Sequence, residues 1–260
     1  MIDFEFVKPL SVADAVKALA MDGAQALSGG QTLTPVLKQR LATPAVLVSL
    51  TGIAALKGVS VAGGVVTVGA ATTHATVARA AGAYPALAAL AGGIGDAAVR
   101  NRGTIGGSLA NNDPAACYPA AVLGSGATVV TNTRSIAADD FFQGMFSTAL
   151  NEGEIITSVT FPIPQKAAYV KFNQPASRFA LTAVFVAKFA DGVRVAVTGA
   201  SNNGVFRWAE AEAALARDFS AGAIAGLAAS SADLIADLHG TAAYRANLVK
   251  VLTGRAVSAA

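Results

Sequence analysis

A chain of 260 residues has room for one large domain or for two to three small ones, and its 53% hydrophobic and 13% charged content excludes a disordered protein. The net charge of +3 comes from 19 basic and 16 acidic residues, and without a dense run of Lys and Arg it gives no support to nucleic-acid binding. The single cysteine, Cys117, excludes an intrachain disulfide and any four-cysteine zinc or iron–sulfur site built by this chain alone.

Residues 1–54 predict a small α/β unit. Apolar residues recur at helical spacing after Ser11, a favourable N-cap, and Pro35 is tolerated if it lies in the first turn of a second helix. The predicted elements are, in chain order, an extended piece at 4–9, a helix ending near 19, a strand at 25–27, a helix at 33–41 and a strand at 46–50.

Residues 55–163 predict a second unit of strands and helices. The pair Gly63-Gly64 between two Val-rich segments is a hairpin signal, and Pro162 and Pro164 mark the end of the unit. The predicted elements are hairpin strands at 59–61 and 65–68, helices at 73–81, 86–98 and 118–123, and strands at 127–131 and 155–161.

Residues 164–260 predict a third unit. Three strands are expected at 168–172, 181–189 and 193–198, with Asp191-Gly192 as a hairpin turn. From Trp208 onward the chain is Ala-rich and predicts two or three helices to near its end. We expect Trp208 to pack the C-terminal helix against the sheet, with a partner interface as the alternative.

The N-terminus predicts no secretion signal, because it carries acidic residues early and has no basic segment. The apolar segment 83–99 is interrupted by Pro85, three glycines and Asp96, so it predicts no membrane span. Together with an unbridged thiol, these features favour a cytoplasmic protein.

Two loops share one design, in which paired glycines are flanked by apolar residues and short polar side chains. They are ALSGGQTL at 26–33 and GTIGGS at 103–108. Glycines let backbone N–H groups approach a ligand without a Cβ in the way, and a helix after the first loop would direct its positive end at an anion. Neither loop has the Rossmann or P-loop pattern. The residues alone leave open an ordinary turn or a cradle for phosphate.

Other ionisable residues also have two interpretations. For His74 and His239 we expect capping or surface roles, since no metal-ligand cluster and no Ser-His-Asp arrangement surrounds them in the sequence. Arg100 and Arg102 lie beside the second glycine loop. They fit a solvated turn and a contribution to anion binding equally well.

The longest motifs of the chain lie in order along nearly its whole length. They are SGGQTLTPVLKQRLATPAVLVSL (28–50), VGAATTHATV (68–77), GGIGDAAVRNRGTIGGSLANNDPAACYPAAVL (92–123), GEIITSVTFPIP (153–164) and YVKFNQPASRFALTAVFVA (169–187). In these motifs the sequence resembles the FAD-binding medium subunits of the molybdenum hydroxylases, the group of xanthine dehydrogenase and aerobic carbon monoxide dehydrogenase. The resemblance implies an α+β protein with a two-subdomain FAD-binding fold of the PCMH/vanillyl-alcohol-oxidase type. Subdomains 1–54 and 55–163 would hold FAD between them, and 164–260 would form a C-terminal domain of a small antiparallel sheet plus helices.

The resemblance also implies a set of cofactor-binding residues and no catalytic side chain. The first loop would wrap the pyrophosphate with Leu27, Ser28, Gly29, Gly30, Gln31, Thr32 and Leu33. The flavin and ribityl side would be lined by Gly103, Thr104, Gly107, Ser108 and Ala110. Ile94 and Ile156 would lie near the ring, and Lys171 near the isoalloxazine or the electron-acceptor side.

One segment departs from the family pattern. The family reads DPAAD, with its last Asp held to the ribityl or adenosine portion of the flavin, whereas this chain has Asp113, Ala116 and Cys117 in the segment DPAAC. Because a thiol is a weak hydrogen-bond partner, either FAD binds more weakly here or another group compensates.

The resemblance implies an electron-transfer role within a larger complex. A large subunit would carry molybdopterin, a small subunit would carry two [2Fe–2S] clusters, and the assembly would be a dimer of such heterotrimers. Two alternatives stay open at this point: a free-standing FAD-dependent oxidoreductase, and a nucleotide-binding scaffold that has lost flavin. The substrate of the complex and the terminal electron acceptor are not specified by this chain.

Overall fold

The computed structural model describes residues 1–260, and its first sheet is built entirely from the N-terminal segment. Its elements are β1 (Glu5–Val7), α1 (Val12–Leu19), β2 (Ala24–Leu27), α2 (Leu33–Lys38) and β3 (Val46–Ser49). The three strands are parallel in the order β1-β3-β2, and every residue of the central strand β3 is buried. Ser11 caps α1 as predicted, since its hydroxyl accepts a hydrogen bond from the Asp14 N–H at 3.1 Å.

The middle segment forms a five-stranded antiparallel sheet and a group of short helices. In chain order its elements are β4 (Val59–Ala62), β5 (Val65–Gly69), α3 (His74–Ala80), α4 (Pro85–Gly92), α5 (Ala97–Arg102), α6 (Ile105–Asn111), α7 (Tyr118–Gly124), β6 (Thr128–Thr131), β7 (Ser135–Ala137), α8 (Ala138–Phe141), β8 (Phe142–Gly144), β9 (Ser147–Thr148) and β10 (Ile156–Pro162). The strand order is β4-β5-β10-β6-β7, and β8 and β9 form a separate small hairpin. Buried aromatic rings, among them Tyr84, Phe141 and Phe161, fill the largest core of the molecule.

The C-terminal segment forms a four-stranded antiparallel sheet with two helices. Its elements are β11 (Lys166–Asn173), β12 (Ala180–Lys188), β13 (Val193–Thr198), β14 (Phe206–Arg207), α9 (Ala209–Arg217) and α10 (Ala242–Ala259). The predicted packing of Trp208 is confirmed, because its 3% exposed ring shares a core with Leu248 and Leu252 of α10.

Three predicted helical regions, at 33–41, at 86–98 and after Trp208, are wrong in extent. A single helix at 86–98 does not form, because Gly95 has φ +50° and the Asp96 carboxylate accepts a hydrogen bond from the Val99 N–H at 2.8 Å, which begins a new helix. The stretch 225–241 is not helical although its composition is typical of a helix. Helices α5 and α6 were not predicted, and α2 ends at Lys38 rather than at residue 41.

Two sets of contacts join the middle segment to the segments on either side of it. Ala71 and Ile155 of the middle segment join the core of the first sheet. The third sheet is attached through Thr198, whose hydroxyl donates to the carbonyls of Pro114 at 2.9 Å and Ala116 at 2.8 Å. These contacts fix the segment 113–117 from outside the middle sheet. No helix of the structure has both the length and the apolar character needed to cross a bilayer.

Candidate functional site

A cavity of about 600 Å³ lies where the first sheet meets the middle segment, a volume within the range of small-molecule sites. It is lined by all the cofactor-binding residues expected above except Lys171, together with residues such as His74, Val99, Leu150, Glu154 and Arg178. Residues that are far apart in the sequence thus surround one space.

The two glycine loops touch at this cavity. The hydroxyl oxygens of Ser28 and Thr104 are 2.8 Å apart. A Cβ on Gly29 would overlap the carbonyl oxygen of Arg102 and would lie 2.7 Å from the Cα of Gly103. The absence of a side chain at Gly29 is therefore what lets the first loop rest directly on the backbone of the second.

The first loop carries unsatisfied hydrogen-bond donors. The backbone N–H groups of residues 29–32 donate to no acceptor within the chain. Gly30 has φ +69°, a conformation that side-chain-bearing residues rarely adopt. The Thr32 hydroxyl makes no capping bond to α2. Convergent free N–H groups in a left-handed turn form a concavity that favours an anion.

The second loop is built differently, because helix capping and strand contacts occupy its donors. The Thr104 hydroxyl accepts from the Gly107 N–H at 3.2 Å, and the Gly106 N–H donates to the Ala70 carbonyl at 2.9 Å. A Cβ on Gly106 would lie 2.7 Å from the Cβ of Ala70. This loop thus forms a close-packed wall, while the free donors are concentrated in the first loop.

His74 is a wall residue that the sequence prediction misplaced. It is the first residue of α3 and only 5% exposed, so the expected surface or capping role is wrong. Its own N–H donates to the Gly103 carbonyl at 2.9 Å. Burial, assisted by the nearby Arg100 guanidinium, lowers the pKa of His74 to about 4, so the imidazole is neutral at physiological pH. His239 is exposed as expected.

Glu154 anchors the segment that leads to Ile156. Its carboxylate, 2% exposed, pairs with Arg134 at 3.0 Å and accepts from the hydroxyls of Thr131 and Thr133. The hydrogen bond from Arg134 is the largest of the effects that hold the pKa of Glu154 well below its usual range. The hydrogen-bonding capacity of the carboxylate is thus used by Arg134, Thr131 and Thr133. These contacts fix the backbone just before Ile155 and Ile156, which line the cavity.

The family model described as "FAD binding domain in molybdopterin dehydrogenase" matches residues 2–164. The chain belongs to this family. It is the FAD-binding medium subunit of a molybdenum hydroxylase, and therefore an oxidoreductase subunit.

Full-length relatives support the same assignment. The medium subunit is 35% identical to the nicotine 6-hydroxylase medium subunit of Paenarthrobacter nicotinovorans, with 97% of this chain and 95% of the relative aligned. It is 34% identical to the carbon monoxide dehydrogenase medium chain of Afipia carboxidovorans, over 99% and 96% of the two chains.

Solved structures confirm the predicted fold class. A carbon monoxide dehydrogenase structure from Oligotropha carboxidovorans matches with a TM-score of 0.89 and 31% identity, covering 99% of this chain and 98% of that one. Quinoline 2-oxidoreductase from Pseudomonas putida 86 matches with a TM-score of 0.88 and 29% identity over 100% and 97%.

The residues of the medium subunit fit FAD. Free N–H donors at 29–32 suit phosphate oxygens. A Cβ at Gly29 or Gly106 would clash with Arg102 or with Ala70, so both glycines are needed for the walls of the cavity to pack as they do. Ile94 and Ile156 supply apolar surface to the same cavity, as the flat ring of a flavin requires.

Lys171 lies beside the cavity rather than in its lining. Its ammonium donates to the carbonyls of Gly93 at 2.6 Å and Arg178 at 3.1 Å, and it lies 3.6 Å from the sulfur of Cys117. Lys171 therefore joins β11 to three residues that border or line the cavity. Its expected place next to the isoalloxazine stays a prediction.

Replacing Cys117 with Asp is expected to keep or tighten FAD binding in the medium subunit. A carboxylate at this 6% exposed position would lie beside the Lys171 ammonium and gain a charge-assisted partner that the thiol lacks. Quenching of FAD fluorescence on titration should give an affinity equal to wild type or up to about tenfold higher. Cys117→Ala is the control for loss of the thiol alone. A clear weakening in Cys117→Asp would contradict the placement of residue 117 at the cofactor.

Arg100 and Arg102 have separate environments. The Arg100 guanidinium donates to the carbonyls of Ile94 and Gly95, both at 3.0 Å, and so stabilises the turn before α5. Arg102 is exposed and lines a second, smaller cavity beside the first glycine loop.

Proposed function

We propose that the chain uses this cavity to hold FAD as the electron-transfer centre of a three-subunit molybdenum hydroxylase, between [2Fe–2S] clusters on a small subunit and an external acceptor. The observation that supports this most directly is the meeting of the two glycine loops, with the free N–H groups of residues 29–32 at the cavity. When bound, FAD supplies the acceptance and release of electrons.

The residues of the chain bind and position the cofactor. The first loop, from Leu27 to Leu33, would hold the diphosphate with its free N–H groups and the hydroxyls of Ser28 and Thr32. Gly103, Thr104, Gly107, Ser108 and Ala110 would follow the ribityl side, and Asp113, Ala116 and Cys117 would close that end. Ile94 and Ile156 would cover the ring and limit the access of water, because they add apolar surface to the wall.

The remaining assignments belong to the same proposal. The subdomains would be 1–54 and 55–163, with the C-terminal domain at 164–260, since each sheet is built from one continuous segment. The relatives are named as medium chains or medium subunits, each one part of a larger enzyme. A large molybdopterin subunit and a dimer of heterotrimers in the cytoplasm complete the proposal.

Two measurements test the proposed function. The purified chain should show the absorbance of oxidised flavin near 450 nm, with FAD released on denaturation. The chain expressed at its natural level should co-purify with a cluster-bearing small chain and a molybdopterin-bearing large chain. Absence of flavin binding would favour the scaffold alternative, and flavin without partners would favour a free-standing oxidoreductase.

A further inference from the structure

A second cavity of about 350 Å³ borders the first glycine loop. It shares Gly29, Gly30 and Gln31 with the large cavity, so one loop forms a wall of both spaces. Its other lining residues are Thr34, Pro35, Lys38 and Arg102. No aliphatic or aromatic side chain except the proline ring lines it. Two cations and a polar loop therefore face a small, solvent-accessible space.

Both cations are free of partners within the chain. Lys38 and Arg102 are exposed and take part in none of the ion pairs of the structure. The two come from different units, since Lys38 ends α2 and Arg102 ends α5. They lie together only because Gly29 rests on the backbone of Arg102 and Gly103. The contact between the loops thus places two positive charges that have no acidic partner next to free N–H donors.

The large cavity lacks positive charge beside the same loop. Its ionisable lining residues are two carboxylates, Asp113 and Glu154, the neutral His74, the thiol of Cys117, and Arg178 in the turn between β11 and β12. A diphosphate bridge is doubly anionic, and the loop amides supply only partial charges. The cations that adjoin residues 29–31 are Lys38 and Arg102, in the smaller cavity.

We propose that Lys38 and Arg102 form the cationic half of a diphosphate site, completed by the amides of residues 29–32. The inference rests on the proposed function, because the diphosphate is that of the bound dinucleotide. The loop amides orient the phosphates, and the two cations set the affinity and make it dependent on ionic strength. Neither residue touches the reacting ring, so both are binding residues and not catalytic ones.

FAD titration of the full chain, stripped of flavin, tests the inference without any measurement of turnover. Lys38→Met and Arg102→Met should each weaken FAD binding by about tenfold at low salt, since a charge-assisted hydrogen bond is lost. As NaCl is raised from about 20 mM to about 300 mM, the FAD affinity of the wild type should decrease, because salt screens exposed charges. The double variant should show a much smaller decrease.

Matched controls separate a charge effect at the site from a general change of charge. Lys17→Met and Arg79→Met remove exposed cations elsewhere in the same two segments and should leave FAD affinity unchanged. Lys38→Arg and Arg102→Lys keep the charge and should retain most of the affinity. Riboflavin, which has no phosphate, should bind the double variant as it binds the wild type.

Two results would overturn the inference. One is a double variant with wild-type FAD affinity and wild-type salt dependence. The other is an equal loss of riboflavin and FAD binding, which would mean that the substitutions disturb the fold. A wild-type chain that binds no FAD under any condition would overturn the proposed function instead, so the two failures are distinguishable.

Discussion

Replacing Gly29 with alanine is expected to weaken FAD binding severely while leaving the protein folded. A Cβ at this position would overlap the carbonyl oxygen of Arg102 and would lie 2.7 Å from the Cα of Gly103. Both obstacles are backbone atoms and cannot rotate away as a flexible side chain would. In the variant the two loops must move apart. This movement displaces the free N–H donors of residues 29–32 and breaks the 2.8 Å contact between the hydroxyls of Ser28 and Thr104.

The expected loss in FAD affinity is about 100-fold or more, because several hydrogen bonds to the diphosphate fail together. Fluorescence titration of the flavin-free chain measures it. Gly82→Ala is the matched control, since a Cβ there meets no atom within 4 Å and the backbone does not have a positive φ. Thermal unfolding of both variants shows whether the fold survives. Wild-type affinity in Gly29→Ala would mean that the loop contact does not organise the site.

The local features of the site were predictable from the sequence. Paired glycines beside short polar residues marked both loops, and the strands on either side followed from runs of apolar and β-branched residues. Strands β2–β6 and β10–β13 were predicted with small errors at their ends, whereas the short edge strands β7 and β14 were not predicted. The motif at 92–123 carried the family resemblance, which the family model and full-length relatives confirm.

Long-range features were not predictable from local patterns. The first loop keeps free N–H donors, whereas the donors of the second loop are occupied. One reason is that the Gly106 N–H donates to the Ala70 carbonyl, a contact across 36 positions of sequence that no local periodicity predicts. The same holds for Lys171, whose partners include Gly93 and Cys117. A capping or surface role was expected for His74 because the sequence places no metal-ligand cluster or catalytic triad around it, whereas in the structure the second loop folds over it.

The C-terminal domain is expected to affect the cofactor site through one buried arginine. Arg245 of α10 is 3% exposed and forms a two-pronged ion pair with Asp237 at 2.8 and 2.9 Å. The same guanidinium donates to the carbonyls of Leu181 and Gly199. The Gly199 N–H in turn donates to the Pro114 carbonyl at 2.7 Å. A continuous set of hydrogen bonds thus runs from α10 to the segment 113–117 at the cavity.

Arg245→Met should lower stability by about 3 kcal/mol, because two buried carbonyls lose their donor and Asp237 loses its partner. For a chain of this length that corresponds to a decrease in Tm of about 6–12 °C. Arg255→Met, at an exposed position of the same helix, should leave Tm almost unchanged. FAD affinity should fall severalfold in the first variant only, since Gly199 no longer holds Pro114 firmly. If the variant were destabilised but kept its FAD affinity, the hydrogen bonds of α10 would not influence the cofactor site.

The pH dependence of stability distinguishes the ion pair from the carbonyl contacts. Burial raises the pKa of Asp237, but the His239 N–H and the Arg245 guanidinium outweigh it and hold the pKa below its usual range. A carboxyl with a lowered pKa in the folded state adds stability above its unfolded pKa, near 4, and loses it as pH falls through the folded value. Wild type should therefore exceed Asp237→Asn in Tm above about pH 5, and the difference should shrink below about pH 4.

The difference between wild type and Arg245→Met should persist at low pH, because the carbonyls of Leu181 and Gly199 do not titrate. If both differences vanished together in acid, the carboxylate would be the main partner of the arginine, and the link from α10 to Pro114 would carry little of the stability.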